Sequence, residues 1–272
     1  MDLMRLQELA NAFLQKAPEN RITREEAYAA ACLGQPIFDE ILLSAGNAHD
    51  PLFNSLREPQ AIGPHFMPPR NWLSEAQSVI SICYVFGECF HQYSGADFPH
   101  PGGIWLRGPE GDQAINVLLV FLRQTLQKAG GLVAIPRLDE RFWFSHNLQE
   151  TEGRAPLSSN WSERHVAYVC GLGTFGLSRT ILSPKGAAVI LRSLITDLHF
   201  PPDPRPYQGL EDNCTRCAAC ARGCPAHAID PKQGKDCGKC LAFLQQIWQT
   251  YPGHSCFGCQ VMVPCARKRP RS

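Results

Sequence analysis

Nine cysteines fall between Cys214 and Cys265, a window of fifty-two residues, and no other feature limits the fold so tightly. The first four read Cys214-Thr-Arg-Cys217-Ala-Ala-Cys220-Ala-Arg-Gly-Cys224-Pro225. The spacing C-x2-C-x2-C-x3-C-P is an iron–sulfur ligation run, in which three thiolates on one loop take three corners of a cubane. The fourth, stiffened by the following proline, points to another cluster. Cys237, Cys240, Cys256, Cys259 and Cys265 supply the remaining corners. One partition gives cluster one Cys214, Cys217, Cys220 and Cys265, and cluster two Cys224, one of Cys237 or Cys240, Cys256 and Cys259. A rival exists, since Cys237-x2-Cys240-x15-Cys256-x2-Cys259 also fits a zinc ribbon. A disulfide framework is the third way to use such a set.

The 272-residue chain is long enough for a large domain beside this small module. With 26 basic and 25 acidic side chains, the net charge of +1 makes no electrostatic case for nucleic acid. No run of about eighteen apolar residues is present, and Met1-Asp2-Leu3-Met4-Arg5 does not open a secretory leader. The expectation is a cytoplasmic protein with no membrane partner, in a compartment where reduced thiols can hold iron.

Leu3, Leu6, Ala10, Phe13 and Leu14 predict an amphipathic opening helix. Thr23-Arg-Glu-Glu26 supplies a capping box for a second helix, closed at Gly34. Residues 45–71 and the stretch from Glu88 to Pro109 read as long irregular connections, with His49 and His65 as solvated loop side chains. Ser78–Phe86 is too apolar to face water on either side and predicts a buried central strand that takes Cys83 into the core. A helix of about four turns through Ile115, Leu118, Leu119, Leu122 and Leu126 ends at Gly130-Gly131, and a strand follows at Leu132–Ile135.

The segment Gly171-Leu-Gly173-Thr-Phe-Gly176, with Asp197 about twenty residues on, matches the dinucleotide-binding pattern G-x-G-x-x-G. Its surroundings do not. Pro184 and Gly186 interrupt any helix after the third glycine, and Ile181–Leu198 reads as a hairpin around Pro184-Lys185-Gly186. The glycines are expected to let backbone approach another large cofactor.

Glu163-Arg164-His-Val-Ala-Tyr-Val-Cys-Gly171-Leu-Gly173-Thr-Phe-Gly176, the later Leu194-Ile-Thr-Asp197, the stretch from Trp72 to Ile80 and the doubled cysteine motif resemble the epoxyqueuosine reductases and reductive dehalogenases over about residues 70–265. The resemblance implies an α+β chain: residues 1–70 as a helical and loop region, a nitroreductase-like corrinoid-binding body at 71–205, and a ferredoxin-like module with two [4Fe-4S] clusters at 206–272. It implies cobalamin or another corrinoid as cofactor, with Glu163, Arg164, Gly171, Gly173, Thr174 and Gly176 in its site. It favours Cys240 over Cys237 as ligand. It implies a low-potential electron donor of ferredoxin or flavodoxin type, and a small molecule or a corrinoid protein as acceptor.

The chain departs from the family in three places. Val263-Pro264 stands where the family has its final Cys-Pro, so Cys265 serves through a shifted loop. The family's proton-donating aspartate, six residues before the Glu-Arg pair, is Leu157 here, which leaves Asp139, Glu140, Ser158 and Ser159 as substitutes. The sequence ends seven residues after Cys265, short of the helical-repeat tail that full-length members use on tRNA, so action on queuosine-tRNA is not expected and nucleic acid is an unlikely partner. Two functions stay open: a corrinoid enzyme acting on a small molecule, and an electron-transfer or corrinoid-handling protein without a substrate of its own.

Overall fold

The computed structural model describes residues 1–23, 30–93 and 109–270. Helix α1 (Leu3–Lys16) begins where the Asp2 carboxylate accepts from the Arg5 amide, and it buries Leu6, Ala10 and Leu14, one residue per turn. Strand β1 (Phe38–Asn47) lies under it at the edge of a four-stranded sheet. Polar side chains from the α1 region cover that edge. Asn11 brackets the amide and carbonyl of Ile41, Gln7 Oε1 accepts from Leu43 N, and buried Asn20 brackets Phe38 in the same way. The helix thus satisfies the backbone groups that an edge strand leaves open.

Two short helices, α2 (Pro51–Ser55) and α3 (Pro69–Trp72), lead to β2 (Ser78–Phe86), and α4 (Glu88–Tyr93) follows it. The expected connection at 45–71 therefore begins inside a strand and contains two helices. The second helix expected after Thr23 falls mostly outside the described residues, as does most of the stretch between Glu88 and Pro109. Helix α5 (Pro109–Lys128) is longer than its apolar pattern suggested, and β3 shrinks to Val133–Ala134.

Strand β2 is central as its composition demands, antiparallel to β1 on one side and to β6 (Val189–Thr196) on the other. Alternation sorts its side chains into two cores. Ile80, Ile82, Tyr84 and Phe86 join Ile115, Leu118, Leu119, Leu122 and Leu126 of α5. Val79 and Cys83 face the opposite way, toward α6 (Glu163–Val169), which contributes Val166, Ala167 and Val169.

The hairpin expected at Ile181–Leu198 divides between two sheets. β4 (Thr174–Phe175) pairs with β5 (Ile181–Leu182), whereas β6 crosses into the main sheet after a turn closed by Ser183 and Gly186. The cysteine-rich end carries α7 (Ala219–Arg222), the two-residue strands β7 (Ile229–Asp230) and β8 (Gly234–Lys235), α8 (Cys237–Thr250) and α9 (Gly258–Val261). Outside it, Cys32 and Cys89 form a disulfide across 57 residues, a pairing the cysteine spacing did not announce.

Candidate functional site

The cysteine run wraps tightly. Arg216 and Ala218, on either side of Cys217, sit at φ 52° and 58°, and His227 follows Cys224 at φ 47°. Left-handed backbone at non-glycine residues costs about 1–2 kcal/mol each, and such strain gathers at ligand-holding loops.

The electrostatics link the thiols in two adjoining groups that meet at Cys220 and Cys259. Burial pushes both Cys220 and Cys265 up to about 11, reinforced at Cys265 by Cys220, Cys214 and Cys217, and at Cys220 by Cys259, Cys214 and Cys217. Cys256 is influenced by Cys259, Cys240 and Cys224, and burial pushes it up to about 12. Cys240 is likewise raised by burial and by Cys259 and Cys224, against Lys235, which lowers it. Cys237 Sγ lies 3.6 Å from Arg179 Nη1. Among the described residues no group of three or more His, Cys, Asp or Glu is placed to hold a single metal ion. A tetrahedral zinc needs sulfurs within about 4 Å of one another, whereas a cubane spreads its thiolates over a wider frame. Cys224 is buried, Cys217 exposed and the others half-buried, and burial raises Cys220, Cys240, Cys256 and Cys265; thiols spread in this way are donors that fit the larger group.

Above this module lie the glycine segment and α6. Thr174 is fully buried and its Oγ1 accepts from Asn213 N, so β4 is tied to the residue before Cys214. The glycines are required by the chain itself. A Cβ on Gly173 would run into the Leu182 carbonyl oxygen across the β4–β5 pair. Gly171 has φ +89° and its Cβ would lie 2.8 Å from Pro204 O, while Gly176 has only ordinary contact with Leu182. The close approach read as room for a cofactor is, at Gly171 and Gly173, an approach of backbone to backbone.

Glu163 opens α6 with its carboxyl buried. Its Oε2 accepts from Ser193 Oγ at 2.6 Å, and that hydroxyl accepts from Trp161 Nε1 at 2.8 Å. Oε1 is buried without a partner. Burial raises this carboxyl to about 7, against the lowering influence of Arg192, Ser193 and Arg137. His165, two residues on, is pushed down to about 3 by burial and by Arg164 and Arg179, so it is a neutral imidazole.

The substitutes for the family's aspartate are unequal. Asp139 accepts from Arg141 Nε at 2.7 Å and Nη2 at 2.6 Å, and this hydrogen bonding holds it below the usual carboxylate range, an ionised state that has no proton to give. Glu140 is exposed. Ser159 Oγ is committed to the Trp161 carbonyl, but Ser158 Oγ is buried and unpartnered, as is Ser145 Oγ across the loop. Leu157 itself has φ +60°, a conformation in which aspartate or asparagine is more at ease than leucine. Sequence reasoning missed Ser145, Arg179 and Lys235, which no motif marks.

No protein-family model matches the chain. An epoxyqueuosine reductase of Bacillus anthracis is 35% identical over 200 residues, which is 70% of this chain and 48% of that relative. The chain is a homologue of the epoxyqueuosine reductases. It spans about half the length of this relative. An epoxyqueuosine reductase solved with an epoxyqueuosine-modified tRNA stem loop superposes with a TM-score of 0.54 at 16% identity, over all of this chain and 68% of the other. A catabolic reductive dehalogenase in complex with 3-bromo-4-hydroxybenzoic acid gives a TM-score of 0.50 at 14% identity, covering 98% and 37%. At such identities the likeness is one of fold. No helix among the described residues is long and apolar enough to cross a membrane.

Proposed function

We propose that this homologue of the epoxyqueuosine reductases is an iron–sulfur oxidoreductase, with Cys214, Cys217, Cys220 and Cys265 holding one [4Fe-4S] cluster and Cys224, Cys240, Cys256 and Cys259 the other. The observation that supports the proposal is that Cys265 is influenced by Cys220, Cys214 and Cys217, and Cys256 by Cys259, Cys240 and Cys224, with Cys220 and Cys259 adjoining between the two groups. The clusters would supply single electrons, and a corrinoid bound against α6 would supply low-valent cobalt for reducing a small molecule.

The chain's own residues support the corrinoid less directly. Glu163 Oε1, Ser158 Oγ and Ser145 Oγ are buried polar atoms without partners, and such atoms cost stability unless a ligand completes their hydrogen bonds. The amide-bearing rim of a corrinoid offers donors to the carboxyl and acceptors to the two hydroxyls. Arg164, its Nη1 on the Arg179 carbonyl at 2.8 Å, would link that ligand to the cluster module. The mutual positions of Glu163 and the glycine segment are set by α6 and the β4–β5 pair, so these residues would orient the group rather than react.

A second reading, an electron-transfer or corrinoid-handling protein with no substrate of its own, draws on the proton supply. Leucine occupies position 157, and Asp139 is locked to Arg141. The direct test is elemental analysis of anaerobically purified protein with added cobalamin. About eight irons, eight sulfides and one cobalt per chain are expected, with the absorbance of a base-off corrinoid. Four irons with one zinc would refute the two-cluster reading. Eight irons without cobalamin binding would refute the corrinoid and leave the carrier.

A further inference from the structure

Cluster two's thiols have cationic company that the cysteine motif does not account for. Lys235, placed by β8, acts electrostatically on Cys240, Cys259 and Cys237, and lowers Cys240 against its burial. Arg164 comes from α6 in the body and acts on the same three thiols. Its Nη1 donates to the carbonyl of Arg179, and Arg179, held at φ +57°, sends its own Nη1 to Cys237 Sγ. Three cations from three separate elements therefore converge on one side of this set. Cluster one is furnished differently: Arg216 is ion-paired with Glu211 at 2.7 Å, Arg267 is ion-paired with Glu88, and Arg222 donates to the Cys217 carbonyl at 3.0 Å.

We infer that Arg164, Arg179 and Lys235 raise the reduction potential of cluster two above that of cluster one, so that an electron entering at cluster one comes to rest on cluster two. The inference rests on the two-cluster reading above. A cubane with four thiolates is anionic when oxidised and gains one further negative charge when a single electron takes it from [4Fe-4S]2+ to [4Fe-4S]+. A neighbouring cation stabilises the second state more than the first, and it does so strongly where solvent is displaced. At the other cluster the Glu211 carboxylate offsets Arg216 while Arg222, on the Cys217 carbonyl, keeps its charge, so the contrast is one of number. Cys237 has the separate task of holding the Arg179 guanidinium, which explains a ninth cysteine that neither set needs. These are positioning residues, and a potential reads their action directly.

The test is an EPR-monitored redox titration of the anaerobic holoprotein with dithionite as reductant, comparing wild type with Lys235→Met, Lys235→Arg and Arg179→Gln. Wild type is expected to show two one-electron waves. Lys235→Met should lower the reduction equilibrium constant of the higher wave about tenfold, which is about 59 mV for a one-electron couple, and leave the lower wave in place. Lys235→Arg should keep the wild-type value. Arg179→Gln, at an exposed side chain, should shift the same wave in the same direction by less. If Lys235→Met loses four irons, Arg179→Gln decides the matter, because its side chain is not part of the core. Waves that stay put, or that move together, in a variant retaining eight irons would overturn the inference. A wild-type protein without eight irons would overturn the two-cluster reading and the inference with it, and iron analysis tells the two failures apart.

Discussion

Glu163→Gln is the substitution whose consequence the structure defines most closely. The carboxyl is buried, hydrogen-bonded through Oε2 to Ser193 and left open at Oε1, and it is raised from 4.5 to about 7, first by loss of solvent. The folded protein therefore keeps this proton up to about pH 7, whereas the unfolded chain releases it near 4.5. Below 4.5 both states are protonated and the native state bears no penalty. Between the two values the native state binds more protons, so stability falls as pH rises, and above 7 the full cost of a buried charge is present. A span of roughly two and a half pH units at about 1.4 kcal/mol per unit comes to about 3 kcal/mol. Glutamine stays neutral throughout and its carbonyl can still accept from Ser193. The wild-type stability minus that of Glu163→Gln should therefore decline by about 2 kcal/mol between pH 5.5 and 7, and then level off. Urea unfolding of the anaerobic protein across pH 5.5–8.5 measures it, and infrared difference spectra should show a protonated carboxyl band that the variant lacks. A stability difference that does not change with pH would refute the reasoning, as would an ionised carboxylate at pH 6.

Leu157→Asn should raise stability by about 1 kcal/mol, since asparagine tolerates the left-handed φ of +60° better than leucine, and a lower unfolding midpoint would show that the loop relaxes otherwise. Gly173→Ala should cost about 2 kcal/mol or more in unfolding free energy even without any cofactor, because the new Cβ meets the Leu182 backbone. Reducing the Cys32–Cys89 disulfide, which closes a loop of 57 residues, should cost about 4 kcal/mol, and Cys89→Ser should be insensitive to added reductant in the same thermal scan. Cys224→Ala should remove the second cluster's irons in preference to the first's, read as a loss of about four irons per chain.

What could be read in advance was local. Ser78–Phe86 announces a buried central strand because every residue is apolar or small, and Leu6, Ala10 and Leu14 announce a helix by their spacing. Strand β1 was missed because its partners lie elsewhere in the chain: Gln7, Asn11 and Asn20 cap its outer edge, so Asp39, Glu40 and Asn47 can stand in a strand that composition argues against. The glycine segment misled for a related reason. Gly173 is needed at a close approach, as its motif implies, but the approaching backbone is that of Leu182, only nine residues on, and no property of the single residue tells a strand from a cofactor.

The cysteine module shows the same division between spacing and assembly. Three thiols at x2 intervals belong together by chain geometry alone, whereas the association of Cys265 with Cys214, Cys217 and Cys220, and of Cys224 with Cys240, Cys256 and Cys259, needs the chain to cross over itself. Once it does, groups distant in sequence set the module's electrostatics: Arg164 and Arg179 reach it from the body, and Lys235 from strand β8. An iron–sulfur motif therefore names its ligands in one dimension, but the charge against which those ligands work is assembled only in three. On the proposed two-cluster reading, clusters with equivalent thiolates would then differ in their hold on an electron, and the difference would belong to residues no cysteine spacing marks.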